Sequence, residues 1–277
     1  APAGVGRQRV QPVAQHALGV QRPGAERAQA LAQVGQLGGG RMRHGVGIVA
    51  QGGQGDAACP QWVPAPPPET RMPTAPITAR AADLGHGLTV RRALPHAQRR
   101  AVGPFVFWDH AGPVTLAPEA VRGADVRPHP HIGLATVSYL LSGSMTHRDS
   151  LGTVQDIRPG DVNWMTAGRG ISHSERFTHP GSFAGGGLEL LQSWVALPAE
   201  AEECAPAFAH TPRAALPEGE DGGVWWRLVA GEAFGCRSPV AVASPLFYLH
   251  LQAPAGARIP LPAGHAERAL YVARGRV

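Results

Sequence analysis

Between Gly123 and Glu175 the chain is punctuated by glycine at intervals that leave room only for short extended segments, and histidines gather at both ends of that run. Gly123 precedes five residues and then His129-Pro130-His131; Gly143 closes the apolar stretch 134–141; sixteen residues separate it from Gly160. Ser142-Gly143-Ser144 reads as a hairpin and Arg158-Pro159-Gly160-Asp161 as a turn. Val162-Asn163-Trp164-Met165 follows as a strand, then the glycine-rich turn 166–170 and a strand over 171–175. A chain cut this way folds as consecutive short strands.

Side chains two apart on a strand share a face, so His129 and His131 point together, and so do His173 and Glu175. With 13 histidines in 277 residues, roughly 0.6 H-x-H pairs arise by chance, so the pair alone carries little weight. Its glycine frame and the second alternating pair carry more. Two such pairs on neighbouring strands of a small barrel converge on one ion. Three imidazoles and a carboxylate suit Fe(II), Mn, Ni, Cu or Zn, and leave one or two positions of an octahedral ion open. A structural zinc site would be closed and would contain cysteine. His129, His131, His173 and Glu175 are therefore the candidate metal ligands. His110 and His147 are weaker candidates: His147 can simply bond its neighbour Asp149, and Asp109-His110 ends an apolar strand where it could line a pocket mouth. Trp164 and Met165 read as barrel core.

The same residues carry a family resemblance. Glycine, five residues, H-x-H and a closing glycine resemble the first motif of the cupin superfamily. More narrowly, four stretches resemble pirin: Gly103-Pro104-Phe105-Val106-Phe107-Trp108-Asp109-His110, Arg127-Pro128-His129-Pro130-His131-Ile132-Gly133, Met145-Thr146-His147-Arg148-Asp149, and the run from Pro159-Gly160-Asp161 through Gly168-Arg169-Gly170-Ile171-Ser172-His173-Ser174-Glu175. The similarity extends over about residues 80–277. A typical cupin takes its glutamate ligand three or four residues after H-x-H, where this chain has Ala135 and Thr136. The pirin pattern instead draws the carboxylate from H-x-E, matched here by Glu175.

The resemblance implies an all-β protein, a cupin-type jelly-roll β-barrel duplicated as a bicupin. It implies one divalent transition metal, Fe(II) foremost, and an oxidoreductase of the quercetin 2,3-dioxygenase kind that opens a flavonol ring with O2, Glu175 taking the substrate proton. It equally implies a non-catalytic alternative, an iron-dependent redox-sensing regulator that binds a transcription factor or a metabolic enzyme. The substrate on the first reading is a small flavonol-like aromatic; on the second, the partner is a protein.

Composition sets the expected boundaries. Residues 1–71 lack Lys, Asn, Phe and Tyr and contain Gly38-Gly39-Gly40 and Pro66-Pro67-Pro68, a mixture that buries little. They are expected to be a disordered tail with at most a transient helix over 25–37, or an upstream segment wrongly assigned ahead of Met72. This segment holds seven arginines against three acids, +4 of the total +5, which leaves the body nearly neutral. No basic stripe with interleaved aromatics remains to bind nucleic acid directly, and no apolar run is long enough to span a bilayer. Cys59, Cys204 and Cys236 cannot all pair internally and none has C-x-x-C spacing, which reads as a reducing cytoplasm.

The metal-binding barrel is expected over 72–198 and a partial second barrel over 199–277. Strands are expected at 188–197, ahead of that boundary, and at 224–229, 240–243, 246–251 and 269–272 beyond it. The second barrel lacks H-x-H, with only His265 and Glu267 near the corresponding place, and is expected to be metal-free. Several of its strands are expected to be missing, since the chain stops at Val277 just after a glycine-bounded strand.

Overall fold

A computed structural model describes the backbone of residues 44–50 and residues 76–84, 88–115, 123–177, 187–259 and 261–276. The strands are β1 (His44–Ala50), β2 (Arg80–Asp83), β3 (Thr89–Leu94), β4 (Phe105–Val114), β5 (Val126–His131), β6 (Leu134–Ser142), β7 (Met145–Asp149), β8 (Val154–Ile157) and β9 (Val162–Thr166). They continue with β10 (Ile171–Arg176), β11 (Leu188–Ala196), β12 (Ala207–Thr211), β13 (Glu218–Asp221), β14 (Val224–Ala233), β15 (Cys236–Arg237), β16 (Phe247–Ala253) and β17 (Arg268–Val272). Two short 3-10 turns are the only helical elements among the described residues. The expected all-β class and the bounds of the strands around the histidine pairs are as the sequence implies.

The first barrel pairs a seven-stranded sheet, β12-β9-β6-β11-β4-β3-β2, with a four-stranded sheet, β5-β10-β7-β8. β5 sits at a sheet edge because Pro128 and Pro130 have no N–H to give to a second neighbour. Those prolines are exposed, so the residues between and after them, His129 and His131, turn inward. β6 is buried along most of its length because both its faces are covered. Val137 and Tyr139 join a core shared with the second barrel, while Leu140 packs inside the first.

The second barrel is built on β13-β14-β16-β1-β17, with β15 pairing β14. Trp226, Leu228, Phe247, Leu249 and Leu251 fill its centre. The two barrels share one buried cluster in which Phe105, Trp108, Tyr139, Leu191 and Val195 meet Val229, Ala230, Leu246 and Tyr248. The Tyr139 hydroxyl donates to His250 Nδ1 at 2.8 Å and accepts from Arg227 Nη1 at 3.2 Å.

Three features differ from the sequence reading. β1 falls inside the segment expected to be a tail, yet its backbone is hydrogen-bonded between β16 and β17; the anticipated helix at 25–37 lies outside the described residues. β12 lies beyond the boundary expected at 198 but pairs with β9, covering an edge of the first barrel that would otherwise present unpaired backbone groups. Residues 240–243 form no strand. Ser238 Oγ donates to the Val229 carbonyl and accepts from the Val240 N–H, and these local bonds replace a ladder while Val240 still reaches the shared core.

Cys204 is a free thiol and Cys236 is disulfide-bonded, so the cysteines no longer argue for a wholly reduced chain. No helix among the described residues is long and apolar enough to cross a membrane.

Candidate metal centre

The histidines of β5 and β10 meet because the two strands pair antiparallel, with His173 directly opposite His129 and Ile171 opposite His131. The turn before β10 holds this register. Gly133 N–H bonds the Gly168 carbonyl at 2.8 Å, and Arg169 N–H bonds the Cys204 carbonyl at 3.0 Å. A Cβ at Gly168 would stand 2.1 Å from that Cys204 carbonyl oxygen, and φ there is +50°, so only glycine fits.

Each of His129, His131 and His173 offers a ring nitrogen within 4.8 Å of the others. His129 Nδ1 lies 2.8 Å from the Arg127 carbonyl, to which it donates. Its Nε2 is thereby left with a lone pair, and that atom faces His173 Nε2 at 3.1 Å. His131 Nε2 is buried with no hydrogen-bond partner among the described residues. Nitrogen lone pairs aimed at a common point, one of them otherwise unmatched, are what a divalent cation would satisfy. The residues present fit such an ion.

Glu175 stands apart from this group of three. It lies on the same face of β10 as His173, is 7% exposed, and its Oε1 has no partner among the described residues. A β-bulge between His173 and Glu175 shifts its register against β5, placing it opposite Val126. On the other side it faces His147 of β7. Three of the four expected ligands are therefore drawn together, with the carboxylate buried alongside.

Burial sets the electrostatics. It pulls the His131 imidazole down to about 4, helped by His129, and the His173 imidazole to about 3, helped by His129, His131 and His147. Neutral imidazole is the form that binds metal, so these rings need no proton removed near neutral pH. Burial pushes the Glu175 carboxyl up, partly offset by His129.

The opposite wall came only from the fold. Cross-strand pairing lines up Phe107, Trp194, Thr136, Met165 and Phe208 as one row across the large sheet. Trp194 presents its ring edge-on to His131 at 5.1 Å and stacks on Phe107 at 4.1 Å; Phe208 stacks on His147 at 4.3 Å. Two residues along the strands, a parallel row holds Asn163, Ser138, Gln192, Asp109 and Arg92. Arg92 clamps Asp109 through two bonds of 2.8 and 2.7 Å, and its guanidinium lies over Phe107.

His110 does not line this interior. It projects from the other face of β4, fully buried between the barrels, with Nε2 3.0 Å from Glu189 Oε1 and Nδ1 3.0 Å from the Tyr271 hydroxyl. In the second barrel Glu267 accepts the Gly103 N–H at 2.7 Å, and His265 packs edge-on against Phe247. Neither belongs to a metal-competent group among the described residues.

Comparison with known proteins agrees with the geometry. The family model described as Pirin matches residues 87–195. A pirin-like protein of Caulobacter vibrioides is 53% identical over 72% of this chain and 69% of its own length. A Pseudomonas aeruginosa protein named putative quercetin 2,3-dioxygenase is 47% identical over 61% of this chain and 51% of its own. The crystal structure of a quercetin 2,3-dioxygenase from Acinetobacter baumannii is 44% identical with a TM-score of 0.57, covering 63% of this chain and 56% of the other. The chain thus spans from about half to about two thirds of the length of these relatives. Motifs, barrel architecture and relatives together place this chain in the pirin family.

Proposed function

We propose that the first barrel houses a pirin-type dioxygenase site that opens the heterocycle of a flavonol such as quercetin with O2. The observation carrying this reading is the meeting of His129, His131 and His173 inside the barrel, supported by the quercetin 2,3-dioxygenase names of relatives at 47% and 44% identity. A divalent metal, Fe(II) first among the candidates, would be held by the three imidazoles and by Glu175, and would polarise an oxygen of the substrate.

The chain's own groups supply the rest. Glu175, buried beside the histidines, would take the flavonol 3-hydroxyl proton. Its unpartnered Oε1 is the atom that would receive it. Trp194, with Thr136 and Met165 beside it, gives a flat substrate an apolar wall across from the histidines. Exclusion of water by that wall strengthens each polar contact within.

Metal analysis of protein purified without chelators, followed by oxygen uptake with quercetin, tests the proposal. Wild type is expected to hold about one metal per chain and to consume O2, and His131→Ala to do neither. Stoichiometric metal without turnover would instead favour the regulator.

A further inference from the structure

His173 can serve a metal through Nε2 only if its single ring proton sits on Nδ1. The group facing Nδ1 is another imidazole: His147 Nδ1 lies 3.3 Å away, buried. Two imidazoles in contact leave the proton's position open unless something fixes the second ring. Asp149 does so. Its Oδ2 stands 2.9 Å from His147 Nε2, and the carboxylate side chain is fully buried. A carboxylate only accepts, so His147 carries its proton on Nε2 and presents a lone pair at Nδ1. His173 must then donate from Nδ1, which frees its Nε2 to face His129 and the ion.

The other end of the chain is anchored as firmly. Asp149 Oδ1 accepts the backbone N–H of Leu151 at 2.9 Å and of Thr153 at 3.1 Å, and the Thr153 side chain adds a further bond to the carboxylate. Phe208 stacked on His147 keeps that ring in plane.

We propose that Asp149 and His147 are positioning residues which, through this two-step chain, dictate that Nε2 of His173 faces the metal. The inference rests on the metal-holding part of the reading above and is independent of the substrate.

The geometry makes an isosteric change informative. In Asp149→Asn the two backbone N–H groups at the Oδ1 position retain the amide oxygen, which turns the amide NH2 toward His147. His147 then takes the opposite tautomer and pushes its own Nδ1–H at His173. In His147→Asn the amide oxygen replaces the ring Nδ1 as acceptor and does not depend on Asp149.

Two measurements decide it. In metal-free protein, long-range 1H–15N spectra are expected to report the Nδ1–H form of His173 in wild type and loss of that form in Asp149→Asn. In Co(II) titrations, Asp149→Asn is expected to bind about 10- to 100-fold more weakly than wild type, while His147→Asn and the double variant stay within about threefold of wild type. Rescue of Asp149→Asn by the second substitution is an outcome that loss of local stability could not produce. Equal Co(II) affinity of wild type and Asp149→Asn, or an Nε2–H tautomer of His173 in wild type, overturns the relay. Wild type that binds no Co(II) overturns the metal reading instead, and the spectra still judge the relay.

Discussion

The two barrels use their interiors differently. The centre of the second is filled with Trp226, Leu228, Phe247, Leu249 and Leu251, side chains that only pack. The first keeps an apolar floor of Leu140, Met145, Ile157, Leu188 and Leu190, but stacks above it a row of hydrogen-bonded polar groups and then the histidines. Burying imidazoles and a carboxylate costs stability unless each finds a partner, and the depressed His131 and His173 and the raised Glu175 record that cost. The residues inside the first barrel fit a metal ion. The other supports it through the shared core.

The sharpest way to break this contrast is to remove one imidazole from each barrel. His173→Ala is expected to lower metal uptake sharply, measured as bound metal per chain, because it removes one of the three imidazoles that meet and leaves two histidines with a carboxylate set apart from them. His265→Ala, whose ring packs edge-on against Phe247, is expected to leave the metal content unchanged. Metal lost from both variants alike would end the distinction.

The opposite asymmetry should appear in stability. Leu249 is fully buried at the heart of the second barrel, and Leu249→Ala is expected to cost about 2–5 kcal/mol in chemical denaturation. Metal per folded chain should stay at the wild-type value. A drop in metal content among folded molecules would mean that the second barrel shapes the site directly.

How much of this could be read in the sequence follows from how local each feature is. The histidine cluster was legible because H-x-H and H-x-E are alternations within single strands, framed by turn glycines. The Glu175 offset was not, because the bulge that displaces it is a property of the pairing between β10 and β5. Asp109-His110, read as the end of an apolar strand, lies in the middle of β4, which runs on to Val114, and alternation alone does not say which neighbour turns inward; Asp109 does, and His110 faces the second barrel. Trp194 and Phe208 reach the site from strands far along the chain, and only the register of the large sheet brings them opposite the histidines. His147 was recognisable as a partner for Asp149, whereas its contact with His173 needed the pairing of β7 with β10.

A smaller effect probes the seam between the barrels. Tyr139 belongs to the first barrel, and its hydroxyl joins His250 and Arg227 of the second. Tyr139→Phe keeps the ring and removes one hydrogen bond from His250 and one from Arg227, so a loss of about 1–3 kcal/mol is expected. The unfolding transition should become broader or split as the halves uncouple. A single transition with unchanged midpoint would mean that the shared apolar core alone joins them.

The smallest effect is a pH dependence belonging to that seam. Burial holds the His250 imidazole down to about 4, with Arg227 adding to the depression and Glu189 opposing it; Trp225 lies edge-on to the ring and Tyr139 donates to it. An unfolded histidine titrates near 6.5. Between those values the unfolded chain binds the extra proton and the folded chain does not, so stability rises with pH there. The contribution of His250 is thus complete above about 6.5 and is lost as the pH falls through about 4. Melting midpoints of metal-free protein are expected to decline over that window, since His131, His173 and His110 are depressed in the same direction. His250→Gln removes one group from the set and should make the decline shallower while leaving its pH range in place. An unchanged slope would mean that His250 is already protonated in the folded protein, and Arg227 beside it would then have to be repelled rather than held by Tyr139.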